Sequence, residues 1–335
     1  MRTFFAASRI GPREKAMSLF LTVRRRPHAG TAMKINGFLI AILTALAVTL
    51  GASCDRNTSA VVTDRAGRQV TLSGPVRRVV STAPSNTEII VDLGMARMLV
   101  AVDIHSENIV DIPPGLPLLD FFFPDAEVLL GLQPDLIIAS GHNPTGAGAD
   151  PFSLLTEAGI AVVYIPMSDS IEDIYLDIAF VAELLGAQAQ GEALIRSMRA
   201  EIADITRFVP GLQNRRSVYF EISPAPDMMT FGRNSFIGDM ITTIGGDNIF
   251  EDEPWLVMPG AESVISRNPD VILTNVNWID DPIGEIKGRP GFNHINAVAN
   301  DRVHPIDTDA SVRNSARITV ALRQMARAVY PEHHD

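Results

Sequence analysis

The sequence predicts an α/β protein of two lobes joined by one long helix, and three observations predict it. Short apolar strands alternate with amphipathic helical stretches from Val79 to Ile165, the pattern of parallel βα units. From Ser170 to Phe208 the chain is helix-forming, interrupted only by Gly186 and Gly191, and the α/β pattern restarts after Pro210-Gly211. One element occurs twice. Glu127, six residues, Pro134-Asp135 and an apolar strand recur as Glu262, six residues, Pro269-Asp270 and an apolar strand, at a constant offset of 135.

The elements follow in order. Asp64-Arg65-Ala66-Gly67-Arg68 is a turn between two short strands, VVT and QVTL. Val79 to Thr82 is a buried strand broken by Ala83-Pro84. Ser85 and Glu88 fit a capping box, with Ser85 at the N-cap and Glu88 at the third helical position. Ile89, Ile90 and Leu93 continue that helix, and Gly94 ends it. Leu99 to Val102 is a strand. Asp125 caps a helix through Leu132, Pro134 stops it, and Leu136 to Ala139 is the next strand. A helix over Pro151–Ala158 and a strand over Val162–Ile165 complete the first lobe. Two helices follow, the second over about Gln188 to Phe208 and roughly 30 Å long, enough to connect two lobes. The second lobe has strands at Ser217–Glu221 and Val271–Thr274 and helices at Ser235–Ile244 and Ala316–Val329. The organisation predicted is a leader at 1–53, a tether with short strands at 54–75, a lobe at 76–187, a linker helix at 188–209 and a second lobe at 210–332.

Charge and cysteine narrow the function classes. The first 53 residues hold eight bases and one acid; the remainder holds 20 bases against 38 acids, a net of −18. So acidic a body argues against a nucleic-acid partner. The single cysteine, Cys54, excludes an internal disulfide and any multi-cysteine metal site. It follows an apolar run, Gly37 to Ala52, that is preceded by Lys34 and is shorter than a membrane span of about 20 residues. That is the layout of a secretory signal. Leu50-Gly51-Ala52-Ser53-Cys54 resembles a bacterial lipobox with its leucine one place early, which implies lipidation of Cys54 and a place in the cell envelope; the alternative is an ordinary cleaved signal with an incidental cysteine. Met33-Lys34 is a natural start for such a signal, with residues 1–32 a mis-called extension; the alternative is that Arg24-Arg25-Arg26 belongs to a long basic n-region.

Arg78-Val79-Val80-Ser81-Thr82-Ala83-Pro84-Ser85-Asn86-Thr87-Glu88 resembles the opening of the cobalamin and ferric-siderophore binding proteins of ABC importers. Gln133-Pro134-Asp135, Gly232-Arg233-Asn234-Ser235-Phe236, Gly245-Gly246-Asp247-Asn248-Ile249, Asn268-Pro269-Asp270 and Ile295-Asn296-Ala297-Val298 continue the likeness in family order. The resemblance implies two Rossmann-like lobes with a ligand cleft between them. It implies a ligand such as cobalamin or a ferric chelate (siderophore or haem), no resident cofactor, and a monomer that meets an ABC permease dimer with its ATPase subunits.

Site residues follow from the same resemblance. Phe121, Trp255, Asp309 and Arg313 match ligand-contacting positions, and His105 stands where relatives carry an aromatic residue; since three consecutive phenylalanines cannot share one side of a strand, either Phe121 or Phe122 is the one expected to line the cleft. Ser140 and Ala310 replace aromatic positions of the best-known cobalamin binder, which thins the stacking surface. Glu127 and Glu262 match the acids that form salt bridges to permease arginines; a bland alternative is that each complements its helix dipole. His105 and His142 stand 37 apart with no clear third partner, too few for a zinc site. An envelope enzyme on the same architecture is the rival of another class, since fold alone does not fix function, but the chain has no GxSxG, HExxH or GxxxxGK[ST] motif to support it.

Overall fold

The computed structural model describes residues 59–141, 143 and 150–334. Lys34, His142 and the lipobox with Cys54 lie outside the described residues. The chain opens with an antiparallel pair, β1 (Ala60–Thr63) and β2 (Gln69–Leu72). Asp64 builds the turn between them. Its buried carboxylate accepts from the Arg68 backbone N at 2.7 Å and from the Tyr164 backbone N at 3.0 Å, which fastens the hairpin to the first sheet. Gly67 supplies the left-handed φ of 81° that the turn requires.

The N-terminal lobe runs β3 (Val79–Ser81), α1 (Pro84–Asp92), β4 (Leu99–Asp103), β5 (Leu118–Leu119), α2 (Ala126–Gly131), β6 (Leu136–Ser140), α3 (Ser153–Glu157) and β7 (Ala161–Ile165). Its strands are parallel, in the order β5-β4-β3-β6-β7, so the winding reverses beside β3. The strands β3, β6 and β7 are buried throughout, as their unbroken apolar sequences require of strands covered on both faces.

Two helices then leave the sheet, α4 (Ile171–Leu184), capped by Ser170, and α5 (Gln188–Ile205). With 18 residues, α5 is about 27 Å long. It packs on α4 through Gly191, where an added Cβ would lie 2.6 Å from the Ala182 Cβ. The Met198 and Ile205 side chains of α5 enter one apolar core with Val79 and Ile138 of the first sheet and Val218 and Leu273 of the second.

The C-terminal lobe runs β8 (Ser217–Glu221), β9 (Thr230–Phe231), α6 (Phe236–Thr243), β10 (Asp247–Asn248), β11 (Leu256–Val257), α7 (Ala261–Arg267), β12 (Val271–Thr274), α8 (Pro282–Gly288), α9 (Asn296–Ala299), β13 (Val303–Pro305), α10 (Thr308–Val312) and α11 (Ile318–Val329). The parallel sheet order is β10-β8-β12-β13, and β9 and β11 form a separate antiparallel pair. An ion pair, Arg323 to Glu201 at 2.8 Å, fastens α11 to α5.

The duplicated element has the same chemistry in both lobes. Gln133 and Asn268 take left-handed φ values of 47° and 44° at the helix ends. Asp135 then accepts from the backbone N of Arg77 and Arg78, and Asp270 from the N of Ser217, so each aspartate orders the start of the neighbouring strand.

Most element ends fall within two residues of the sequence reading, as helix ends usually do; α5 stops at Ile205 rather than Phe208. One difference matters. No capping box forms at α1. The helix starts at Pro84, whose fixed φ suits a first turn, with Ala83 at the N-cap and no side-chain cap. Glu88 is therefore free of the helix start and points to the other lobe.

Candidate functional site

In an open parallel sheet, ligands sit outside the carboxyl ends of the strands. Both lobes place such ends at one cleft. It contains two adjoining cavities of about 180 and 40 Å³ that share Met167, Ser168, Val312 and Asn314. Met167 and Ser168 follow β7, while Val312 and Asn314 precede α11. Phe231, Ile222 and Trp255 add an apolar wall from the C-terminal lobe. Ser85, Asn86 and Ser140 add a polar wall from the N-terminal lobe. A larger groove of about 660 Å³ lies at the start of β7, beside Arg68 and Gly159, at the wrong end of the strands for this rule.

The polar wall is braced from behind. The Ser168 hydroxyl donates to Asp177 at 3.0 Å, and the Arg65 Nε donates to the same carboxylate at 2.6 Å. Burial pushes the Asp177 carboxyl up, against the hydrogen bond from Arg65 that lowers it. The β1–β2 turn thus steadies the cleft through one buried aspartate. Thr82 and Asn143 interlock at 2.8 Å, and the Asn143 amide donates to the Phe121 carbonyl at 2.7 Å.

A clamp closes the cleft from one lobe to the other. Arg313 reaches Glu88 at 2.7 Å, and the Ser315 hydroxyl donates to the other oxygen of that carboxylate at 2.5 Å. Arg313 also holds Asp309 at 3.1 Å and donates to the His105 carbonyl at 3.2 Å. Glu88 and Arg313 are both buried. The Asp239 carboxylate of α6 makes a second tie, accepting from the Ile171 backbone N at 2.8 Å.

The residues expected to touch a ligand are placed as follows. Arg313, Asp309 and His105 are brought together, but the Arg313 guanidinium is occupied by Glu88, Asp309 and a carbonyl, so it acts here as an interlobe clamp. The His105 side chain is exposed. Phe121 is only 2% exposed and packs against Phe152 with ring centroids 6.4 Å apart, so it belongs to the core. Its neighbour Phe122 is exposed. Neither lines the two cleft cavities.

Trp255 does line the cleft. It takes a φ of 28°, a strained value for a large side chain. Its carbonyl accepts from the Gly232 N at 2.8 Å and its N donates to the Arg233 carbonyl at 3.0 Å. Gly232 is required there, since a Cβ would lie 2.2 Å from the Glu253 carbonyl oxygen. The Phe231 ring meets the indole edge-on at 5.6 Å. The preceding loop is pinned by Arg267, bidentate on Asp252 at 2.7 and 2.9 Å, which holds that carboxyl below its usual range.

Behind the cleft, at the end of β8, a buried polar cluster supports Ile222. Arg289 grips both oxygens of Glu221, at 2.6 and 2.8 Å, and also reaches Glu285. Burial pushes the Glu221 carboxyl up despite the Arg289 hydrogen bonds.

Glu127 and Glu262 are exposed, each the second residue of its helix, α2 and α7. Among the described residues neither carboxylate has an ion-pair or hydrogen-bond partner. No group of three or more His, Cys, Asp and Glu side chains among the described residues is placed to hold a metal ion, and no described helix is long and apolar enough to cross a membrane.

Sequence reasoning missed Ser168, Asn314, Val312 and Phe231. Ser168 and Asn314 lie in loops, Phe231 in a two-residue strand and Val312 at the end of a five-residue helix, all too short for periodicity to flag them. The available signal was position, just beyond the carboxyl ends of predicted parallel strands.

The sequence profile of the periplasmic binding protein family matches residues 79–310. With its two parallel α/β sheets and interlobe cleft, the chain belongs to that family. It is 28% identical over 273 residues to an uncharacterised ABC transporter substrate-binding lipoprotein of Bacillus subtilis (strain 168), covering 81% of this chain and 85% of that one. It is 27% identical to a cobalamin-binding protein of Halobacterium salinarum (strain ATCC 29341 / DSM 671 / R1), covering 88% and 84%. A solved structure described as a possible iron-binding, periplasmic solute-binding protein of Staphylococcus epidermidis ATCC 12228 aligns at a TM-score of 0.69 with 30% identity, covering 76% of this chain and 99% of that one.

Proposed function

We propose that this chain is the extracytoplasmic binding protein of an ABC importer, and that it carries a metal chelate of the corrinoid class to a permease dimer powered by ATPase subunits. One observation carries the ligand class. The cleft offers an apolar and aromatic wall (Trp255, Phe231, Ile222, Val312) opposite hydroxyl and amide groups. Such a surface recognises a large planar ligand by its faces and a few peripheral polar groups. The cobalamin-binding relative supports this reading. A second reading, a ferric chelate in the same cleft, is supported by the solute-binding structure from Staphylococcus. A drug-sized ligand fills roughly 300–1,000 Å³, more than the two cavities enclose. A chelate therefore sits across the cleft mouth, where Trp255 and Val312 are exposed, or enters as the lobes part.

The test is a tryptophan-fluorescence titration with cyanocobalamin, a ferric siderophore and haem. Trp255 emission is expected to change with one of them, and Trp255→Ala to weaken that binding by about 1–3 kcal/mol. Wild-type affinity in the variant would place the ligand elsewhere; Trp278 is the other tryptophan and serves as the internal control.

The protein acts as a monomer tethered by a lipid on Cys54, and Glu127 and Glu262 form the charged contacts to the permease. Cys54→Ala is expected to release the protein from the membrane fraction; unchanged sedimentation with membranes would remove the anchor from the proposal. The equal helix positions of the two glutamates support docking on a partner with two equivalent surfaces. Helix dipoles alone account for an acid at either place, but Asp would serve them as well as Glu.

A further inference from the structure

Resting on that binding-protein reading, we infer that each lobe carries an apolar knob beside its glutamate, Phe123 in one lobe and Met258 in the other, and that the two knobs seat in the permease. The internal repeat extends upstream of the acids. Phe123-Pro124-Asp125-Ala126-Glu127 aligns with Met258-Pro259-Gly260-Ala261-Glu262 at the same offset of 135. In both copies alanine is the first helical residue and glutamate the second. The residue ahead of each proline stands out into solvent: Phe123 is 84% exposed and Met258 63%.

A single exposed apolar side chain is ordinary. Two at equivalent places in two lobes, each four residues before a carboxylate with no partner among the described residues, are not. Folding does not account for them. The core contact of the repeat is made by Leu129 in one helix and Val264 in the other, both buried. Nor does helix capping account for them. Asp125 caps α2 through its side chain, with hydrogen bonds from the N of Glu127 and Val128, whereas Gly260 offers α7 no side-chain cap. The cap differs between the lobes; the apolar residue, the proline and the acid do not.

The occupant must therefore present two like surfaces, each an apolar pocket beside a basic group. A membrane permease of two equivalent subunits is the partner whose symmetry would supply them. A second copy of this chain does not, because it would set acid against acid in a body whose net charge beyond the first 53 residues is −18. Exposed acids steer association and set its salt dependence, while a desolvated apolar anchor chiefly slows dissociation. On the N-terminal side Phe122 and Val128 are also exposed and widen the apolar patch around Phe123.

The experiment measures association of the full chain with its permease complex in lipid nanodiscs, by biolayer interferometry at low and high salt. Wild type is compared with Phe123→Ser plus Met258→Ser, and with Glu127→Ala plus Glu262→Ala. The serine pair is expected to bind about tenfold or more weakly, through faster dissociation, with its salt dependence kept and its melting unchanged. The alanine pair is expected to associate more slowly, with a flatter salt dependence. A serine pair that binds like wild type overturns the inference while leaving the docking glutamates in place. So does an effect carried wholly by one knob, or a wild-type dimer in sedimentation that the serine pair dissociates. Wild-type protein that does not bind the permease at all would instead remove the binding-protein reading itself.

Discussion

Glu88→Ala is expected to destabilise the folded protein by about 3 kcal/mol, the low end for a broken buried pair, because the Arg313 guanidinium loses its buried partner but keeps Asp309 at 3.1 Å. Arg313 is buried and reaches Glu88 at 2.7 Å across 225 residues of sequence, and Ser315 loses its acceptor in the same change. For a chain of this size each kcal/mol moves the melting temperature by about 1–2 °C, so a fall of roughly 3–6 °C is expected. Because the pair joins the lobes, hydrogen exchange should rise selectively around α1 and Thr308–Val312. Glu88→Leu with Arg313→Met removes both charges and should recover most of the loss, since an apolar replacement of a buried pair is often near neutral. A single variant that melts like wild type would show that the clamp is not formed in solution.

Arg289→Met is the second large effect, also about 3–5 kcal/mol at pH 8. It leaves Glu221, fully buried, with the Tyr219 hydroxyl at 3.2 Å as its remaining hydrogen-bond partner among the described residues. The pH dependence distinguishes this from a general packing defect. Burial already raises the Glu221 carboxyl above its ordinary 4.5, and losing the guanidinium raises it further. Between the unfolded and folded pKa values the folded variant then binds more protons than the unfolded chain, so stability falls as pH rises above about 4.5. The gap in melting temperature between variant and wild type should be smaller at pH 5 than at pH 8. An equal gap at both would mean that the loss comes from packing around Met228 and Phe292, which the Arg289 guanidinium touches at 3.1 Å and overlies at 5.2 Å, rather than from the stranded carboxylate.

What the sequence disclosed and what it withheld divide along physical lines. Strands such as Leu136–Ser140 and Val271–Thr274 were legible because a strand covered on both faces must be apolar throughout. The duplicated element was legible because its Pro-Asp corner does the same work twice, ordering β3 in one lobe and β8 in the other. Trp255 was legible as a rare aromatic in an irregular loop, though not its positive φ or its dependence on Gly232. Glu88 was misread because its local spacing fits a capping box, while its partners lie in the other lobe, beyond any local pattern. The three phenylalanines posed a different problem. Which one is buried was decided by Asn143, which holds the Phe121 carbonyl, and by the Phe152 ring, neither of them near in sequence. Arg313 shows the converse: an arginine in a position suited to a ligand also holds an internal carboxylate, a contact no local pattern announces.

Delivery of a metal chelate to a permease is tested most directly by ATP-driven uptake into proteoliposomes that carry the permease complex with its ATPase subunits. Cyanocobalamin, a ferric siderophore and haem are offered one at a time, with and without the purified chain outside the vesicles. Uptake of one of the three that requires the chain and rises to saturation with its concentration is the expected result. Uptake of every chelate at the same rate whether or not the chain is present would contradict it.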